Sequence, residues 1–223
     1  MDVGVPLPLF PLGTVLFPGM PLPLLVFENR YLAMIADQLT RPEDQRRFGV
    51  VAIRDGYEVG ELAVHSAHRV GCEAVVRTVS QREDGRFDVL AVGGRRFRVT
   101  GMDEARSYLV GDVAWYHEPL GDDVDVSCTR ALAAFEAYRA RLGKVRGADV
   151  VVTDLPREPL KLSYALAAGG LFMLGDRQAL LEHENAAARL THLAELLRGE
   201  TAAMTALPSL PATDVMRTGW SPN

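Results

Sequence analysis

The 223-residue sequence predicts an α+β protein, a small closed or half-closed β-barrel with one inserted helix followed by a C-terminal helical bundle. Three observations predict it. An apolar run near the start is broken by prolines into short extended pieces. Hydrophobic segments bounded by turn signals then follow at fairly regular spacing as far as residue 120. From Asp122 onwards the apolar residues recur three or four apart, the period of a helix face.

The opening run, "VPLPLFPLGTVLFPGMPLPLLVF", is part of an uncharged stretch from Val3 to Phe27, long enough on paper to cross a bilayer. Pro6, Pro8, Pro11, Pro18, Pro21 and Pro23 interrupt it. A proline inside a helix removes a backbone hydrogen bond and costs roughly 3 kcal/mol, so a continuous helix is excluded. Hydrocarbon admits only helices and closed barrels. A secretory signal needs a basic start, and the only charge before the run is Asp2. The stretch reads as internal, with the pieces "PLPLF" and "LPLLVF" joined by the turn "FPGM".

The remaining elements follow in order. "ENRYLAMIADQLT" carries a helical stripe of Tyr31, Met34, Ile35, Gln38 and Leu39, with Asn29 as the expected cap. "RFGVVAIRDG" reads as a strand ending in a turn, and "AHRVGCEAVVRTVSQ" as a long strand. "REDGR" is a hairpin signal centred on Asp84-Gly85. "FDVLAV", Gly93-Gly94 and "RRFRVTGM" read as strand, two-residue turn and strand, because both glycines can take positive φ. "SYLVGDVAWY" supplies one more strand.

In the second half Cys128, Leu132, Phe135, Tyr138 and Leu142 mark one apolar helix face. "KVRGADVVVTDLPRE" interrupts it. Pro159 suits the first turn of "PLKLSYALAA", and Gly169-Gly170 stop it. Asp176 is the expected cap of "RQALLEHE", and Leu190, Leu193 and Leu197 share a face of the last helix. The expected organisation is a β subdomain over residues 1–120, a helical bundle over 121–207 and a disordered tail over 208–223.

With 48% hydrophobic residues the chain is large enough to bury a core without staples. Cys72 and Cys128 lie in apolar settings and read as reduced, buried thiols of a cytoplasmic protein. Residues 1–121 hold 13 of the 24 Lys+Arg and 16 of the 29 Asp+Glu, leaving 11 and 13 for the rest. Neither part has the basic excess that phosphate backbones select.

Catalytic and metal motifs are weak. Gly143-Lys144 is followed by Val145, and Tyr138 stands where a P-loop needs its first glycine. A Ser163–Lys161 dyad has a spacing that separates the side chains on a helix. His65 and His68 with Cys72 offer ligand types, but on a strand the two histidines face opposite sides. No cofactor, metal or catalytic residue is expected.

The stretch "LPLFPLGTVLFPGMPLPLLVFENRY" resembles the start of the substrate-binding N-terminal domain of Lon-type ATP-dependent proteases. "RVGCEAVVRTVSQREDGRFDVLAVGGRRFRV" is similar to that family's second block, and "LSYALAAGGLFMLGDRQALLEHENAAARLTHLAELL" looks like its helical region. The resemblance spans residues 5 to about 205, and the sequence carries neither the ATPase nor the Ser-Lys protease module of Lon. It implies a PUA-like barrel, a helical bundle and a non-catalytic polypeptide-binding role. Unfolded or partly folded clients would be recruited for a protease or ATPase partner, without membrane or nucleic acid. Prolines belong at sheet edges, so Phe10, Phe17, Met20 and Leu22 are the expected apolar groove. The alternative is RNA binding through Arg95, Arg96 and Arg98.

Overall fold

The computed structural model describes residues 4–54, 67–103, 107–147 and 154–206. The expected tail over 208–223 lies outside them, as does His65. The chain divides into two compact units, Met1–His117 and Glu118–Asn223.

In the first unit β1 (Val5–Leu12), β2 (Pro21–Val26), β3 (Arg47–Ile53), β4 (Ala67–Gln81), β5 (Phe87–Asp103) and β6 (Val110–Trp115) form one sheet. Helix α1 (Asn29–Leu39) is inserted between β2 and β3. β1 runs parallel to β3. The pairs β3–β4, β4–β5, β5–β6 and β6–β1 are antiparallel, so the hydrogen-bonded order returns to the strand where it began. β2 stands outside this circuit, against the first half of β5.

Side chains alternate across a strand, and here the two faces feed separate cores. Leu7, Leu9, Val51, Phe97, Val99 and Val113 cluster on one side. Phe10, Val50, Cys72, Val89 and Ala91 cluster on the other, together with Tyr31, Met34 and Ile35 of α1. Neighbours such as Leu9 and Phe10 thus serve different cores. This is why β3 reads as an unbroken apolar run, a strand covered on both faces. Phe10 lies flat on Tyr31 with ring centroids 3.9 Å apart. Glu28, not Asn29, occupies the cap position of α1, and no side chain bonds there.

The prolines are placed by hydrogen-bond direction. Leu9 N–H donates to Leu109 O at 2.8 Å, so odd-numbered residues at the start of β1 point their amides toward β6. Pro6 and Pro8 therefore turn their donorless nitrogens away from that partner. In β2 the carbonyl of Met20 accepts from Gly93 N–H at 2.9 Å, which directs Leu22, Leu24 and Val26 toward β5. Pro21 and Pro23 face the opposite edge. The "FPGM" turn is real: Met20 N–H donates to Phe17 O at 3.0 Å, and Gly19 holds φ of 80°. Proline second and a positive-φ glycine third define a type II turn.

The expected Gly93-Gly94 hairpin is absent, because β5 continues through both residues to Asp103. Gly93 serves close approach. A Cβ there would sit 2.0 Å from the Phe17 carbonyl oxygen, which belongs to the β1–β2 connection. Beside it the β4–β5 register shifts between Cys72 and Ala74, a bulge that uses Gly94. Gly93→Ala should therefore cost about 2 kcal/mol, read as a lower midpoint in urea, although alanine is the better strand former. The Asp84-Gly85 turn does close a hairpin, with Arg82 N–H donating to Arg86 O at 2.8 Å.

The second unit holds α2 (Val124–Arg146), α3 (Pro159–Gly169), α4 (Leu174–Glu182) and α5 (Ala186–Ala206). Pro159 opens α3 as expected. Asp176 lies in the first turn of α4, whose cap position is Met173. Asn185 caps α5, its Oδ1 accepting from Ala188 N–H at 2.8 Å. Fully buried Arg189 ties the helices together. Its Nε donates to Leu180 O at 2.9 Å, its Nη1 to Ser163 Oγ at 2.9 Å and its Nη2 to His183 O at 3.3 Å. Its guanidinium lies 4.0 Å over the Tyr164 ring. No helix among the described residues is long and apolar enough to cross a membrane.

Candidate functional site

Where β2 lies on β5, directly opposed residues share a face. Pro21 faces Val92, Pro23 faces Leu90 and Leu25 faces Asp88. The inward partners, Leu22, Val26, Val89 and Ala91, belong to the core under α1. The outward row is open: Leu25 is 40% exposed, Leu90 39%, and Phe27 just beyond β2 46%. Pro21 and Pro23 are exposed beside them. These residues make an apolar face on an edge strand. Single exposed apolar residues mean little, but five neighbours on one sheet corner are a candidate contact surface.

Two ion pairs stand at its rim, and Arg77 is exposed at the β4 bulge next to Leu90. Arg82 clamps Asp88 with two hydrogen bonds, at 2.6 and 2.7 Å, and Arg30 meets Glu28 at 2.8 Å. The Arg82 hydrogen bond and charge hold the Asp88 carboxyl below the usual carboxylate range. Asp84 is lowered likewise by Arg86. A depressed folded pKa means that this pairing favours the fold above the unfolded pKa and is lost as pH falls through the folded one. Arg82→Ala should accordingly return the Asp88 titration midpoint to the ordinary range, seen in carboxyl NMR shifts.

The residues expected to form a groove are placed differently. Phe17 is 0% exposed, and Phe10 and Leu22 are buried in the core under α1. Only Met20 is partly open, packed against that core. Inward parity is the reason, since Leu22 points under the sheet where Pro21 and Pro23 point out. The open residues Leu25, Phe27 and Leu90 were missed, although Leu25 shares the parity of the two prolines.

The three arginines do not form one patch. Arg96 is 0% exposed and stacks 4.6 Å over Tyr116. Arg95 lies 4.0 Å over Trp115, and its amide donates to the buried carboxylate of Glu73, which also meets Arg47 at 3.2 Å. Arg98 donates to the Tyr116 hydroxyl at 2.6 Å.

The Ser163–Lys161 pair does not assemble. Ser163 is buried and donates to Leu160 O at 2.7 Å, whereas Lys161 is exposed and paired with Glu158 at 2.6 Å. Cys72 is a buried thiol directed at the carbonyls of Glu73 and Gly94. Among the described residues no group of three or more His, Cys, Asp or Glu is arranged to hold a metal ion.

The class this architecture defines is an α+β domain of the Lon N-terminal kind. The structure is similar to "Lon N-terminal domain protein" from Xanthomonas campestris, with a TM-score of 0.60 and 26% identity over 86% of this chain and 98% of that one. The N-terminal domain of Mycobacterium avium complex Lon protease shares the fold, with a TM-score of 0.62 at 15% identity over 89% and 98% of the two chains. The ATP-dependent protease La (LON) substrate-binding domain family matches residues 6–199, and the chain belongs to that family. It is 22% identical to Escherichia coli (strain K12) Lon protease over 88% of its own length and 25% of the relative's. With Anaeromyxobacter dehalogenans Lon protease it is 29% identical over 88% and 23%. The chain thus spans about a quarter of the length of these relatives.

Proposed function

We propose that the protein is a non-catalytic polypeptide-binding module that takes up unfolded or partly folded clients on the outer face of β2 and β5. Membership of a substrate-binding family supports a substrate-binding role, and the exposed row of Pro21, Pro23, Leu25, Phe27 and Leu90 is the observation that supports assigning it to this face. We infer that the circuit of paired strands is a small PUA-like barrel, whose interior is filled and leaves binding to its outer surfaces. A protease or ATPase partner would then receive the clients. The burial of Arg96 and the stacking of Arg95 and Arg98 favour this reading over RNA binding.

Fluorescence titration against a labelled unfolded protein and against a structured RNA, each at two salt concentrations, tests the reading. The unfolded protein should bind with little salt dependence, whereas binding of RNA alone with a steep salt slope defeats it. Leu25→Glu and Leu90→Glu should each weaken client binding about tenfold or more without shifting the thermal melt. The purified chain should neither hydrolyse ATP nor degrade casein.

A further inference from the structure

We propose that the face selects client segments carrying an Asp or Glu close to their apolar anchor, and that Arg77 is the residue that meets this carboxylate. This rests on the binding role assigned above to the β2–β5 face and gives that role a preference among clients.

The pairing registers lay out the outward residues in rows across three strands. Opposed residues on neighbouring strands share a face. Pro23 pairs with Leu90 and Leu90 with Thr78, while Leu25 pairs with Asp88 and Asp88 with Ser80. β2 and β5 thus supply the apolar half of the surface, and β4 borders it with exposed Thr78 and Ser80. Between Val76 and Thr78 the β4–β5 register shifts, and Arg77 is the extra, exposed residue of that bulge. Val76 and Val79 on either side pack into the core under α1, so Arg77 and Thr78 both stand on the outer face. A bulge leaves its extra residue unpaired and re-aims its side chain. Here it adds a guanidinium to the border beside Leu90.

Charge sets Arg77 apart from its neighbours. Arg82 is matched by Asp88, Arg86 by Asp84 and Arg30 by Glu28. Arg77 has no such partner among the described residues. Glu83, at the hairpin tip, lies roughly 20 Å farther along the strand, well past the roughly 8 Å screening length of physiological salt. The polar border therefore carries an unmatched positive charge. A carboxylate brought there gains charge-assisted hydrogen bonds from the guanidinium, whereas a lysine is repelled and an uncharged amide gains neither. Thr78 stands two strand spacings from Pro23, roughly 10 Å. The carboxylate thus falls within about three residues of the side chain seated on Pro23 and Leu90.

The test uses the full chain and fluorescein-labelled, C-terminally amidated peptides of one Leu/Val-rich sequence. They differ only in carrying Glu, Gln or Lys two residues from each end of the apolar run. The Glu peptide should bind about three- to fivefold tighter than the Gln peptide, and the Lys peptide most weakly. Arg77→Gln should make the Glu and Gln peptides equal, and Arg77→Glu should put the Lys peptide first. The uncharged double variant Leu25→Ser/Leu90→Ser should weaken all three about tenfold or more. Suppose the double variant weakens all three, but the parent binds the Glu and Gln peptides equally or Arg77→Gln leaves their ratio unchanged. Clients are then not sorted by charge at this face, and the site stands without the selection. If no peptide binds, or the double variant binds like the parent, the face is not the client site and the selection is lost with it. A free C-terminal carboxylate on the Gln peptide that tightens binding where an internal Glu does not would give Arg77 to chain ends. A dimer in sedimentation that the double variant dissociates would give the face to a second copy. Either outcome overturns the proposal.

Discussion

Phe17→Glu is expected to unfold the strand unit or lower its melting temperature by about 20 °C, while Met20→Glu, three residues away, melts like the parent. The residues look alike in sequence, flanking Pro18-Gly19 in one turn. Their environments differ. Phe17 is completely enclosed, and its carbonyl closes the turn onto Met20 and lies against Gly93. A carboxylate there is cut off from water. Burying an unpaired charge costs several kcal/mol, a large part of a domain's ordinary stability of about 5–15 kcal/mol. At roughly 4–8 °C per kcal/mol for a unit of this size, the melt moves far enough to be unmistakable. Met20 keeps an open side from which a glutamate can reach solvent, so its change should stay within about 0.5 kcal/mol. Equal melts for the two variants would show that the turn is not seated in the core.

Arg189→Ala should cost about 4 kcal/mol, read as a lower urea midpoint and faster amide exchange within Glu118–Ala206. The guanidinium supplies donors to Leu180 O, His183 O and Ser163 Oγ and packs on Tyr164. Alanine leaves those acceptors buried without it, at about 1–3 kcal/mol each before relaxation, and opens a cavity. Arg189→Lys keeps the charge but cannot reach three divergent acceptors from one nitrogen, so it should recover only part of the loss. Ser163→Ala removes one contact and should cost about 1 kcal/mol. If Arg189→Ala melts like the parent, the network is a passive tenant of the bundle.

Elements held by local pattern were legible in the sequence. β3, β4, β6, the Asp84-Gly85 turn and the apolar face of α2 declare themselves through periodicity and turn chemistry that need no distant partner. Gly93-Gly94 misled because a glycine required by a neighbouring backbone has the same letters as one required by a turn. Only the Phe17 carbonyl, 76 positions earlier in the chain, tells them apart. The return of the strand order to β1 depends on pairing between Val5 and Val113, which no local window contains. The candidate site is half legible. Proline placement points to the edge strand that carries the exposed row, but it does not separate buried Phe10, Phe17 and Leu22 from exposed Leu25 and Leu90. Exposure on a strand follows parity against a partner, and the partner of β2 is far off in sequence.

Pairing between the two ends of the strand unit also sets a timetable for synthesis. β1 leaves the ribosome first, but its antiparallel partner, residues 110–113, is translated about a hundred residues later. At about 5–20 residues per second that is a wait of roughly 5–20 s. During it the nascent chain carries a long stretch with no charge to keep neighbouring chains apart, and low charge with high apolar content is part of the cross-β signature. Pro6, Pro8, Pro11, Pro21 and Pro23 remove amides at short intervals along that stretch, so two nascent copies cannot zip together while they wait. The prolines that shape the finished edge also keep the unfinished chain single. Replacing them with alanine should reduce soluble yield during expression more than it lowers the stability of the molecules that do fold.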